Sequence, residues 1–207
     1  MSYDPPRHHR RSIRLSGWDY AHPGWYYVTI LVKDRECHFG HVVNDTMELS
    51  ALGLVADACW RQIPLHHVGV GLDEHIVMPN HVHGIVIINE KQHMDVNGRD
   101  VQLNVPTGKI IALNATSTGE YDKRRGTNKP MSPVKGSLSV IIRTFKAAVT
   151  TWAHGNGYGD FAWQGRFHDH IIRNEEELHR IREYIRNNPL DWALDNENSE
   201  NDPIRSK

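Results

Sequence analysis

Hydrophobic and polar positions divide the chain into short strand-like runs, stripes of helical period, and one polar stretch with neither. β-Branched and aromatic residues crowd 25–32, which predicts a strand. The next pattern is a hairpin over 38–49, turning at Asn44-Asp45, followed by a helix over 51–63. The run from Glu74 to Ile88 is broken only by Pro79-Asn80, so strands over 67–78 and 81–88 should meet at that turn. Ile141, Phe145 and Val149 recur at core-facing spacing in a helix predicted over 138–152. Two short strands, 161–164 and 167–172, precede a last helix.

That last helix carries the strongest local signals. Asn174 followed by Glu177 is a capping-box start, and Glu175 and Glu176 suit the positive helix end. Leu178, Ile181 and Ile185 form an apolar stripe, Arg180, Arg182 and Arg186 mark polar positions, and Pro189 is expected to stop the helix. The order of elements predicts an α+β fold, an antiparallel sheet with helices packed on one face.

The stretch 90–133 breaks this rhythm and reads as a polar insert. The expected organisation is therefore a basic arm over 1–24, one domain over 25–192 carrying the insert, and an acidic-rich tail over 193–207. A chain of 207 residues with 39% hydrophobic content can bury one sizeable core. It contains no apolar run of about eighteen residues and no secretory apolar segment near its start, so cytoplasmic residence without a membrane partner is expected. Cys37 and Cys59 lack metal-ligand spacing and are expected to stay reduced.

Candidate chemistry concentrates in Met78-Pro79-Asn80-His81-Val82-His83-Gly84. Alternation along a strand points both imidazoles to one face, as a pair of neutral nitrogen ligands. Imidazole suits several divalent metals, and such a pair needs a further ligand or an open position. By itself it names no reaction. In a chain with 15 histidines it also reads as two ordinary polar side chains, and His168-Asp169-His170 is a rival pair. Tyr184 and Asn188 lie one helical turn apart and so share a face, although a core-edge tyrosine and a C-terminal cap would look the same. No phosphate-cradling glycine loop is present.

Taken together, these segments resemble the REP-associated tyrosine transposases, single-tyrosine members of the HUH transposase family. The resemblance runs from about Ser12 to Trp192, apart from the insert. It rests on Gly24-Trp-Tyr-Tyr-Val-Thr-Ile30, the Met-Pro-Asn-His-Val-His element, and Ser139-Val-Ile-Ile-Arg143-Thr-Phe-Lys146. Trp163-Gln-Gly-Arg166-Phe-His-Asp169-His170-Ile-Ile-Arg173 and Tyr184-Ile-Arg-Asn-Asn188-Pro189 complete it.

The resemblance implies an HUH endonuclease-like fold in which His81 and His83 hold a divalent metal, Mg2+ or Mn2+, and Tyr184 is the nucleophile. Asn188 would complete the metal site where some relatives carry glutamine. The implied partner is single-stranded or hairpin DNA, cut and rejoined through a 5′-phosphotyrosine. A homodimer is one expected assembly, since the tyrosine helix of related enzymes serves either its own pocket or a neighbour's. Candidate DNA contacts are Arg10, Arg11, Arg14, Arg143, Lys146 and Arg173, with Asp169 and His170 as secondary site candidates. Trp163 reads as a base-stacking residue or as core.

Net charge of −1 gives no general attraction to nucleic acid, but its distribution is uneven. Arg7, Arg10, Arg11 and Arg14 form one basic cluster and Lys123-Arg124-Arg125 a second. Asp191, Asp195, Glu197, Glu200 and Asp202 make the end acidic, which is expected to keep it away from DNA. The alternatives are a nicking enzyme of replication or conjugation, a repeat-binding protein that no longer transposes, and a metal-dependent nuclease that uses water.

Overall fold

A computed structural model describes residues 19–90, 136–195, 197 and 198. Residues 1–18 of the basic arm, including Arg10, Arg11 and Arg14, and nearly all of the polar insert with Lys123-Arg124-Arg125 lie outside the described residues. The elements run β1 Gly24–Leu31, β2 Gly40–Val43, β3 Thr46–Leu49, α1 Ala51–Arg61, α2 Ile63–His66, β4 Val70–Val77, β5 His81–Ile88, α3 Leu138–Gly155, β6 His168–Ile172 and α4 Glu175–Asp191. The four-stranded sheet is ordered β4-β5-β1-β6 and its paired strands are all antiparallel, which gives the α+β fold expected from the pattern. A separate hairpin, β2-β3, turns at Asn44 and Asp45, whose φ of 47° and 60° match the left-handed conformation of a tight hairpin turn.

The helices occupy both faces of the sheet rather than one. Val28, Ile30, Val82 and Val86 pack on Leu52, Ala56, Trp60, Ile141, Phe145 and Val149, the side held by α1 and α3. Ile85 and Ile172 pack on Leu178 and Ile185 of α4 on the opposite side. The cause is in β5 itself: apolar residues occupy both of its faces, so one layer of helices would leave half of them in water. Gly84 lets α1 come close, since a Cβ there would sit 2.2 Å from the Trp60 ring.

Several element boundaries differ from expectation, three of them for a visible structural reason. The helix predicted over 51–63 ends at Arg61, and a separate short turn begins at Ile63 with Pro64 in its first turn. The predicted strand 161–164 is reduced to one bridge, Val32 to Trp163, because β6 takes the edge of β1 from Trp25 to Thr29. Pro189 does not stop α4, which continues to Asp191. Proline's fixed φ is compatible with a helix, so α4 continues past Pro189 at the cost of the hydrogen bond its N–H would have given to the Ile185 carbonyl. The N-terminal cap forms as predicted: Asn174 Oδ1 accepts from Glu177 N at 2.8 Å and Glu177 Oε2 from Arg173 N at 2.8 Å. Neither Cys37 nor Cys59 is in a disulfide, and no helix among the described residues is long and apolar enough to cross a membrane.

Candidate metal centre and tyrosine pocket

The site lies on the α4 face of the sheet. Alternation along β5 places His81 and His83 on that face, and β1 contributes Tyr27 and Thr29, with Thr29 directly opposite His83. Both histidines are buried, at 0% and 2% exposure, and their rings are 4.4 Å apart. Tyr184 projects from α4 with its ring 5.3 Å from that of His83, and it retains 46% exposure. Tyr27, Thr29, His83, His168, Asp169, His170, Tyr184, Asp195 and Glu197 line one pocket.

Hydrogen bonds settle how the imidazoles face. Asn80 donates through Nδ2 to the carbonyls of Arg35 and Glu197, which leaves its Oδ1 to accept from His81 Nδ1 at 2.8 Å. His81 therefore carries its proton on Nδ1 and keeps the Nε2 lone pair available, on the side where His83 and Asp195 gather. His83 Nδ1 lies 2.7 Å from the Tyr27 hydroxyl and 3.0 Å from Thr29 Oγ1. The Nε2 atoms of both histidines and Oδ1 of Asn188 are buried with no hydrogen-bond partner among the described residues. Buried polar atoms left unpaired in this way carry a desolvation cost and mark a place for a ligand.

Asp195 faces the same two histidines. One carboxylate oxygen and one ring nitrogen from each imidazole all lie within 4.8 Å of one another, so His81, His83 and Asp195 could hold a metal ion. Asn188 Nδ2 donates to Asp195 Oδ2 at 3.1 Å and Glu197 N to Asp195 Oδ1 at 2.7 Å, which fixes the carboxylate. Two neutral imidazoles with a carboxylate and a carboxamide oxygen form a mixed nitrogen and oxygen donor set suited to a divalent cation.

Electrostatics agree with that donor set. Burial pulls His81 down to about 4, opposed by Asp195 and Asn188, and burial with the adjacent His81 holds His83 well below its ordinary value. Both rings are thus neutral ligands near pH 7. Burial pushes the Tyr184 phenol up, Asp195 adds to the rise, and Glu197 and Asp191 act in the same direction against a hydrogen bond from Asn188. Burial likewise raises Tyr27, which stays a neutral phenol.

The remaining sequence candidates are distributed unevenly. His170 is engaged by Glu177 Oε1 at 2.7 Å, and Asp169 lies on the same strand at the pocket edge. The rival His168-Asp169-His170 segment therefore borders the pocket, and its histidines are not among the residues grouped around the metal position. Arg173 is exposed at the start of α4. Arg143 and Lys146 lie on α3, across the sheet from the histidines. Arg143 is exposed, whereas Lys146 Nζ donates to the carbonyls of Gln164 at 2.7 Å and Arg166 at 3.1 Å. Burial lowers that lysine to about 8. Trp163 packs among Phe39, Phe145 and Phe161, which makes it a core residue.

Sequence patterning missed five contributors. Tyr27 and Thr29 share a strand face through simple i, i+2 alternation, a signal available in the sequence but attached to no role. Asn80 reads as a turn residue until its amide is seen between His81 and Glu197. Asp195 and Glu197, expected in an outlying acidic tail, return to the pocket beyond the end of α4.

No family model matches the chain. A solved REP-associated tyrosine transposase bound to a REP hairpin aligns over 84% of this chain and 70% of its own, with 15% identity and a TM-score of 0.48. A transposase candidate from Deinococcus radiodurans R1 aligns over 84% of this chain and 97% of its own, with 13% identity and a TM-score of 0.41. Both scores are too low to carry functional argument. An uncharacterized protein of Haemophilus influenzae (strain ATCC 51907 / DSM 11121 / KW20 / Rd) is 38% identical over 193 residues, which are 93% of this chain and 95% of that protein. The chain belongs to the same family as that Haemophilus influenzae protein.

Proposed function

We propose that the protein is a metal-dependent transposase of the REP-associated single-tyrosine HUH type, which cleaves and rejoins single-stranded DNA at repeat hairpins. The observation that carries this reading is the meeting, in one pocket, of a half-exposed Tyr184 with two buried histidines whose Nε2 atoms lack partners. The ordered sequence resemblance, from Gly24 to Pro189, supports the same family.

His81, His83, Asn188 and Asp195 are the proposed metal ligands, with Mg2+ or Mn2+ as the cation. When bound, the cation would polarise a non-bridging phosphate oxygen and offset the negative charge around Tyr184. Tyr184 attacks the phosphorus and loses its phenolic proton to the solvent that reaches it. The bond from phosphorus to the 3′ oxygen breaks, the 5′ phosphate stays on Tyr184, and the 3′ oxygen is released as a hydroxyl. That hydroxyl can later attack the phosphotyrosine and restore a phosphodiester, so the bond is conserved without nucleotide hydrolysis. His81 and His83 are already neutral and oriented, which removes a protonation barrier to ligation.

The test is a denaturing gel of the full chain with labelled single-stranded repeat hairpins from DNA flanking its gene, in Mg2+ or Mn2+. A covalent protein–DNA adduct is expected, lost in Tyr184→Phe while DNA binding persists. Cleavage without an adduct would replace this mechanism by a water-using nuclease. Binding without either product would leave a repeat-recognition protein.

A further inference from the structure

We propose that Asn80 latches the chain beyond α4 onto the metal site, so that metal binding and docking of Asp195 are one linked equilibrium. The inference rests on the reading of His81 and His83 as metal ligands. Asn80 is fully buried beside His81 and spends its whole carboxamide on three partners. Nδ2 donates to Arg35 O at 3.1 Å and to Glu197 O at 2.7 Å, while Oδ1 holds His81 Nδ1 at 2.8 Å. Its own carbonyl accepts from Val32 N at 2.8 Å, and that of Pro79 accepts from Phe39 N at 2.9 Å. The turn is therefore anchored from the sheet side, and Glu197 is the partner that comes from beyond α4.

The docked segment brings the carboxylate with it. Glu197 N holds Asp195 Oδ1, Asn188 Nδ2 holds Asp195 Oδ2, and Arg35 Nε lies 3.1 Å from Glu197 Oε2. Asn198 Nδ2 closes the same turn on Trp192 O at 3.1 Å. One amide thus fixes the ligand tautomer of His81 and secures the segment that delivers Asp195. Asp195 and Glu197 both bring negative charge to the pocket, and a cation between Asp195 and the imidazoles would offset it. Whatever metal gains from the docked segment, docking gains equally from metal. Asn80 is a positioning residue in this scheme, with no contact to reacting atoms.

The experiment titrates the full chain with Mn2+ alone, following free Mn2+ by electron paramagnetic resonance. Hydrogen exchange is measured in parallel on a peptide spanning residues 192–198. In the wild type, Mn2+ should bind and slow exchange there. Asn80→Ala should weaken binding by about 10- to 100-fold, the usual range for a partner that orients a ligand histidine. Asn80→Asp keeps an acceptor for His81 and loses both donations, so Mn2+ should bind more weakly than in the wild type and, at saturation, slow exchange of the segment less. Arg35→Ala, at a partly exposed side chain, serves if the Asn80 variants misfold, and should lower affinity and protection together. Wild-type Mn2+ binding without any change in exchange would overturn the linkage and leave the metal site standing, as would undiminished binding in Asn80→Ala. Equal Mn2+ binding by the wild type and by His81→Ala/His83→Ala would overturn the metal reading and this inference with it.

Discussion

His81 and His83 are neutral because they are buried, and that has a consequence for stability before any DNA is present. In the unfolded chain an imidazole takes up a proton near pH 6.5, whereas His81 in the fold resists protonation to about 4. Between those values the unfolded state binds the proton that the folded state excludes, so stability is full above about 6.5 and falls as pH drops through the window. Each pH unit costs about 1.4 kcal/mol for one such group, and His83 acts in the same direction. Urea unfolding in the presence of a chelator at pH 7.5, 6 and 5 should show this decline. His81→Gln/His83→Gln should flatten it, and an unchanged slope in that variant would place the titrating groups elsewhere. Tyr184 differs from both rings in being half exposed, which suits a side chain that must meet a strand of DNA.

α4 carries Tyr184 at a rotation set by a fault in the neighbouring strand. Leu72 faces Val86 and His75 faces Gly84, so β4 holds one residue more than β5 over that interval and Asp73-Glu74 forms a bulge. Asp73 takes Arg182 in a two-pronged pair at 2.7 Å each, and Glu74 takes Arg186, with Nε at 3.0 Å. The two arginines are four residues apart and flank Tyr184 in sequence. A double-mutant cycle of Asp73→Ala and Arg182→Ala should give a coupling energy on the order of 1 kcal/mol in urea unfolding, discounted for partial exposure of the pair. Arg182→Ala should also slow adduct formation, with partial recovery in the swapped pair Asp73→Arg/Arg182→Asp. Strict additivity would show that the pair does not set the helix. The cap at Asn174 and the stripe Leu178, Ile181, Ile185 were legible in sequence because both obey local rules. The bulge was not, since an extra strand residue shows only against its partner strand. Continuation through Pro189 was hidden for a similar reason: proline ends helices by default, and tertiary packing around a buried Pro189 decides otherwise.

At the scale of the whole molecule, the sheet gathers groups that lie far apart in the chain. Strand alternation made the His81, His83 pair readable, and one helical turn related Tyr184 to Asn188. Neither rule could bring Asp195 to His81, because that contact depends on α4 crossing the sheet on its second face and on the chain turning back at Trp192–Leu194. The same crossing sets the assembly of the pocket. Tyr184 stands beside His83 of its own chain, held by Arg182 to Asp73 and by Ile185 to the apolar cluster of Ile85 and Leu178. All the proposed chemistry is then supplied by one chain, whatever its oligomeric state. Mixing Tyr184→Phe with His81→Ala/His83→Ala separates the two arrangements, since each variant lacks what the other retains. Equimolar mixtures, co-expressed to allow any exchange of subunits, should form no adduct with hairpin DNA while the wild type does. Recovery of up to about a quarter of wild-type adduct, expected if one statistically assembled pocket of a two-pocket dimer regains both halves, would mean that α4 serves a neighbouring chain.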